Sequence, residues 1–258
     1  MLNPMRVVVV ASQKGGSGKT TITGHLAVEA VRDGQGPVAI IDTDPQGSLA
    51  QWWNAREAAE PAFVQSSLAS LREDLSRLRE QGFRLVVIDT PPAVTRAISE
   101  IVAFADLVIL PTRPSPHDLR AVGATVDILE ARGKAMVFVL NGATARARIT
   151  GQAAVALSQH GTVAPATLHH RVNFASSMID GRTVMETDPE SPSAKEISAL
   201  WDYIRERLQR RHVVALPGGL HDGPAMQQTP AVSHVIAPEG LRPTQPFGRR
   251  GRIEAQSV

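Results

Sequence analysis

The chain has 258 residues, with 27 Lys+Arg against 25 Asp+Glu, a formal net charge of +2 and 43% hydrophobic residues. This suits one sizeable α/β domain plus an appendage, with a real apolar core and no overall charge that announces a polyanion partner. Cysteine is absent, which excludes disulfides, thiolate metal sites and iron–sulfur clusters in this chain.

The first residues, Met1–Arg6, lack a signal-peptide pattern, and no apolar run approaches the roughly 20 residues of a membrane span. A cytoplasmic protein is the expectation. The first apolar run, Val7–Ala11, leads into Gln13-Lys14-Gly15-Gly16-Ser17-Gly18-Lys19-Thr20-Thr21, and helical spacing follows over about Lys19–Arg32. Strand, glycine-rich loop and helix N-terminus together form a phosphate cradle. Backbone N–H groups point inward, the helix dipole favours an anion, and Lys19 adds a point charge. Thr20 puts a hydroxyl where a phosphate-bound Mg²⁺ takes a ligand. A phosphate loop does not require the second lysine, Lys14, so that residue narrows the choice of family.

The run Val38–Ile41 ends at Asp42, ahead of Thr43-Asp44-Pro45-Gln46-Gly47 and a helix over about Gly47–Arg56. A carboxylate at Asp42 can orient or deprotonate water, or hold a metal-bound water. Asp44 followed by Pro45 has the form of an N-cap and first helical residue, and for Asp44 capping and catalysis stand about equal. A helix over about Leu68–Glu80 precedes Leu85–Ile88, which ends at Asp89-Thr90-Pro91-Pro92. An Asp ending the strand one unit downstream of a phosphate loop accepts hydrogen bonds from Mg²⁺-bound water and from Thr20. Pro91-Pro92 forbids an immediate helix.

Further on, the spacing predicts helices over about Arg96–Phe104, His117–Ala131 and Thr150–His160, and strands at Leu107–Leu110 and Met136–Leu140. Short, nearly unbroken apolar strands alternating with helices predict a doubly wound, mostly parallel α/β sheet flanked by helices, of the P-loop NTPase kind. Ligands of such sheets bind beyond the carboxyl ends of the strands. A last helix, about Ser193–Arg211, carries Ile197, Leu200, Trp201, Ile204 and Leu208 on one stripe, with Ser193 and Glu196 in capping-box spacing. Beyond it prolines and glycines punctuate the chain. The expected division is an ATPase domain over 1–212 and a disordered Pro/Gly-rich tail over 213–258.

Lys14–Thr20, Asp42–Gly47 and Asp89–Pro92 together resemble the ParA/MinD group of deviant Walker-type ATPases. Leu110–Ser115, and Arg171 through Gly181 to Glu186, extend the likeness over roughly residues 5–208. It looks closest to short ParA-like partition ATPases without an N-terminal DNA-binding extension. The resemblance implies ATP and Mg²⁺ as cofactors. Gly15, Gly16, Ser17, Gly18, Lys19, Thr20 and Thr21 would wrap the phosphates, and Asn141 would contact the base. Asn141 also suits a loop cap. Lys14 would reach across a nucleotide-sandwich homodimer to the partner's phosphates. Asp42 would position the attacking water, and Asp89 would support the metal.

The family's ATP dimers bind DNA without sequence preference. Basic candidates here are Arg146, Arg148, Arg171, Arg182, Arg205, Arg207, Arg210 and Arg211, the last four crowding the final helix. Without the resemblance, a solvated helix end whose dipole favours cations is the plainer account of those four; with it, Arg171, Arg205, Arg207, Arg210 and Arg211 are the expected DNA contacts. The implied role is partition of a plasmid or positioning of another cargo on the nucleoid. A ParB-like or other cargo adaptor would stimulate hydrolysis, which is slow alone because no arginine finger stands out. Two alternatives remain at this point: a MinD-like membrane-associated ATPase, and a small-molecule kinase or ligase on the same fold. No membrane contact is expected, because residues 213–258 end without a basic amphipathic helix.

Overall fold

A computed structural model describes residues 4–92 and 96–214, with side chains through residue 210. In chain order the elements are β1 (Arg6–Val10), α1 (Lys19–Arg32), β2 (Val38–Asp42), α2 (Ser48–Asn54), β3 (Ala62–Gln65) and α3 (Leu71–Glu80). Then come β4 (Leu85–Asp89), α4 (Arg96–Val102), β5 (Leu107–Thr112), α5 (Pro116–Ala131), β6 (Met136–Ala143) and α6 (Arg148–Ser158). The last are β7 (Thr162–Val163), β8 (Leu168–His169), α7 (Val172–Ser177), α8 (Val184–Thr187) and α9 (Pro192–Val214).

The strands form one parallel sheet in the order β3-β2-β4-β1-β5-β6-β7, with β8 pairing the far end of β6. This is the expected doubly wound architecture. Alternate residues of each strand feed two cores. Val8, Val10, Ile40, Val87, Ile109 and Val137 face α1 and α9. Val7, Val9, Ile41, Val86, Ile88 and Leu110 face α3, α4, α5 and α6. Burial on both faces is why the strand sequences lack polar alternation.

The stripe of α9 is spent on this core: Ile197, Leu200, Trp201, Ile204 and Leu208 are all buried. Trp201 Nε1 donates to Asp33 Oδ2 at 2.9 Å, fastening α9 to the end of α1. Four expectations change. Ser193 does not cap α9: its Oγ donates to Asn173 Oδ1 at 2.9 Å, Glu196 pairs with His169 and Arg171, and Ser191 Oγ accepts the Ala194 N–H at 3.2 Å. The short strands β3, β7 and β8 and the helices α7 and α8 are additional elements. Asp44 does not begin α2. Its Oδ1 accepts the Gln46 N–H at 3.0 Å and its carbonyl accepts the Gly47 N–H at 2.9 Å, so it closes a turn, and Gly47 is the N-cap. Finally, α9 runs to Val214, into the stretch expected as tail; the rest of 213–258 lies outside the described residues.

His25 ties α1 to α8 and is fully buried. Its Nε2 accepts the Val184 N–H at 3.2 Å, so Nδ1 carries the proton and donates to the Thr21 carbonyl at 2.8 Å. Burial pushes this imidazole from 6.5 down to about 4, against the pull of the Thr21 carbonyl and Glu186. The unfolded chain therefore binds a proton that the folded chain refuses. Stability from this group is complete above pH 6.5 and is lost as pH falls toward about 4. The expected loss over that window is roughly 3 kcal/mol. In urea titrations, the stability difference between wild type and His25→Gln should shrink through it, and a flat difference would count against a neutral His25.

Candidate active site

The register of the central strands brings the motifs together. Val10, at the start of the phosphate loop, is level with Asp89, and Asp89 is level with Asp42 on the next strand. Thr90 Oγ1 donates to the Val10 carbonyl at 2.9 Å and Thr43 Oγ1 to the Asp89 carbonyl at 2.6 Å, stitching the strand ends to each other.

The loop leaves β1 and enters α1 through Gly18, whose φ of 93° is left-handed. A Cβ there would collide with the Asn141 amide, so glycine is needed on both counts. Asn141 Nδ2 donates to the Ser17 carbonyl at 2.6 Å. Asn141 therefore clamps the loop, which fits the loop-capping account and leaves base contact as an expectation. Gly15 and Gly16 are exposed at the outer turn, whereas Ser17 is buried with an Oγ that has no hydrogen-bond partner.

Lys19 is buried at the mouth of α1. Burial lowers its pKa, while the charges of Asp89 and Asp44 oppose that. Thr20 Oγ1 donates to Asp89 Oδ2 at 2.6 Å. Burial pushes the Asp89 carboxyl up to about 7, the Thr20 hydrogen bond pulls it down, and the Asp42 charge adds to the rise. Thr20 and Asp89 are hard oxygen donors in contact, and Mg²⁺ takes one or two such ligands and completes its shell with phosphate and water. The donor set fits that ion. Among the described residues no group of three or more His, Asp and Glu side chains could hold a metal unaided.

Asp42 is fully buried, and burial raises its pKa. Its Oδ1 accepts the Asp44 N–H at 2.9 Å and its Oδ2 the Ala50 N–H at 3.1 Å. Asp42 thus braces the first turn of α2 from a position level with Asp89. Lys14 does not turn into its own cradle. Its Nζ lies 2.7 Å from Asp118 Oδ2, and the lysine is 41% exposed against 6% for the aspartate. Ser115 caps α5, accepting the Asp118 N–H at 3.2 Å while its own hydroxyl donates to the Asp118 carboxylate. Asp118 is a site residue that sequence reasoning passed over, although Ser115-Pro116-His117-Asp118 spells a helix start.

A match to the CobQ/CobB/MinD/ParA nucleotide-binding domain spans residues 8–214. The chain belongs to this family. Its ParA/MinD members are ATPases. Relatives include maintenance of carboxysome distribution protein A of Halothiobacillus neapolitanus, 28% identical over 204 residues, 75% of this chain and 93% of that one. The chromosome-partitioning ATPase Soj of Thermus thermophilus is 25% identical over 250 residues, 80% of this chain and 97% of that one. Among solved structures, an ATP complex of a Cyanothece McdA variant superposes with a TM-score of 0.66 at 19% identity, covering 80% of this chain and 97% of that one. Pyrococcus furiosus MinD gives 0.65 at 22%, covering 78% and 98%. At those identities the two structures establish the fold.

In this family member most of the expected DNA-facing arginines are engaged within the chain. Arg171 pairs with Glu196 at 2.6 Å, Arg205 with Asp33 at 2.5 Å and Asp202 at 2.8 Å, and Arg210 with Glu206 at 3.2 Å. Arg207 lies over the Tyr203 ring and reaches its hydroxyl at 3.0 Å, and Arg182 pairs with Asp180. The Arg211 side chain lies outside the described residues. Arg146 and Arg148, just before and at the start of α6, are exposed, and their side chains have no hydrogen bond or ion pair among the described residues.

Proposed function

We propose that this chain is an ATP hydrolase that cycles between a monomer and an ATP-bound homodimer, and that the dimer binds DNA without sequence preference to partition a plasmid or position another cargo. The observation that carries this reading is the stance of Lys14. A lysine of the phosphate loop stands half-exposed outside its own cradle, tethered by one aspartate, while Lys19 supplies the cation inside it. A cation that faces outward offsets phosphate charge only when a second copy arrives, so ATP becomes the bond between subunits.

Mg²⁺, when bound, would neutralise the terminal phosphates. The chain's own residues do the rest. The loop amides, Lys19 and the unpartnered Ser17 hydroxyl bind phosphate, Thr20 and Asp89 present oxygens to the metal, and Asp42 orients the attacking water. Hydrolysis is slow until a ParB-like or other cargo adaptor completes the site. The positioning role takes support from relatives named for carboxysome distribution and chromosome partitioning. It places the protein in the cytoplasm, on the nucleoid. Arg146 and Arg148 are the readiest phosphate contacts. The exposed Arg210–Glu206 pair gives way at little cost, whereas Arg171 and Arg205 must first leave carboxylates shared with His169 and Trp201. A membrane-bound alternative loses its main support, because the apolar stripe of α9 is buried in the core.

Light scattering should show a dimer with Mg-ATP and a monomer with Mg-ADP. Affinity of that dimer for random-sequence duplex should fall steeply with salt, with a log–log slope near −0.9 per phosphate contacted. A nucleotide-independent oligomeric state would defeat the switch, and a flat salt dependence would defeat the DNA assignment.

A further inference from the structure

Arg113 lies between β5 and α5, and its side chain runs across the mouth of the cradle. A Cβ built on Gly142, near the end of β6, would stand 3.7 Å from both its Cγ and its Nε. A Cβ built on Gly16 would stand 3.9 Å from its Nη2. The stem therefore rests on the strand end beside Asn141, and the guanidinium extends to the outer turn of the phosphate loop. The residue is exposed, and its side chain has no hydrogen bond or ion pair among the described residues, although its carbonyl accepts the Ser115 N–H at 2.7 Å. Its neighbours differ: Lys14 is taken by Asp118, and Lys19 is buried beneath.

A guanidinium with no carboxylate partner, laid over glycines whose amides face an anion site, presents a planar fork of donors that matches phosphate oxygens. Lys19 and Thr20 mark where metal-bound phosphate oxygens lie. Gly16 is on the exposed turn ahead of them, so the guanidinium faces the outer end of a polyphosphate chain. We propose that Arg113 is a phosphate ligand supplied in cis, which contacts the terminal phosphate of a bound nucleoside triphosphate and makes the site prefer triphosphate to diphosphate. This rests on the nucleotide-binding reading above. It adds a second cation from the same subunit, at a position the phosphate-loop pattern does not encode.

Equilibrium titration of the full chain with fluorescent ATP and ADP analogues, in Mg²⁺, tests it. Arg113→Ala should weaken ATP about tenfold and ADP less than about threefold, in keeping with loss of one solvent-accessible charge-assisted hydrogen bond. Arg113→Lys should fall between, since it keeps the charge and loses the fork. Because the Arg113 side chain has no hydrogen bond or ion pair among the described residues, thermal melting of both variants should match wild type. Equal weakening of the two nucleotides, or none, overturns the proposal. Wild type that binds neither nucleotide overturns the underlying reading of the site instead, which separates the two failures.

Discussion

Lys14→Ala is expected to lower ATP turnover by at least about 100-fold while leaving nucleotide affinity within about threefold of wild type. The split follows from where the side chain sits. In the proposed function phosphate is held by loop amides and by Lys19, which is buried at the start of α1, and none of these depends on Lys14. What Lys14 can do is leave Asp118, 2.7 Å away, and reach outward. With the lysine 41% exposed, that pair is partly screened, so a doubly charged phosphate from a second subunit can outcompete one carboxylate. Steady-state phosphate release and nucleotide titration on one preparation read the two quantities. Unchanged turnover removes the in-trans role. Lost nucleotide binding would put Lys14 inside its own cradle and remove the gating role as well.

The central sheet was legible because fully buried parallel strands need apolar residues at nearly every position, as in Val7–Val10 and Leu85–Ile88. The phosphate loop, Asp42 and Asp89 were legible because each follows such a run, and the parallel register then puts Asp42 and Asp89 side by side. Edge elements were not. The strand β3 is only half-buried, and β7 and β8 are two residues each, too short for any period to show. Asp44-Pro45 spells a helix start, but the Asp42 carboxylate already takes the Ala50 amide of α2, so Asp44 is left to close a turn. Asp118 and Arg113 were missed for another reason. They join the site through packing between loops more than 90 residues apart, and nothing local in the chain marks such a contact.

Arg56→Ala is expected to cost about 3–5 kcal/mol of folding stability, the range for removing one partner of a buried ion pair. The Arg56 side chain is 3% exposed, and its partner Glu186 is 23% exposed. Its Nη1 donates to the Gly181 carbonyl at 2.6 Å and to Glu186 Oε2 at 3.1 Å. Its Nη2 donates to Glu186 Oε1 at 2.8 Å and to the Glu60 carbonyl at 3.0 Å. The guanidinium also lies 5.1 Å from the Trp52 ring centroid. Burial alone would raise the Glu186 carboxyl, but hydrogen bonds and charge from Arg56, with help from Thr183, hold it below the usual range. Alanine would leave that carboxylate charged and two carbonyls unpaired. Arg56→Lys should recover part of the loss, since an ammonium can meet Glu186 but cannot span four acceptors. Gly181→Ala attacks the same junction from the other side, because its Cβ would overlap the Arg56 backbone at a φ of +75°. The junction joins the end of α2 to the start of α8, and the first turn of α2 holds Asp42 through the Ala50 amide. Urea unfolding should therefore show the stability loss, and ATP turnover of the still-folded fraction should fall with it. A loss below about 1 kcal/mol would mean that water entering beside Asp180 and Arg182 screens the pair as it would a surface one.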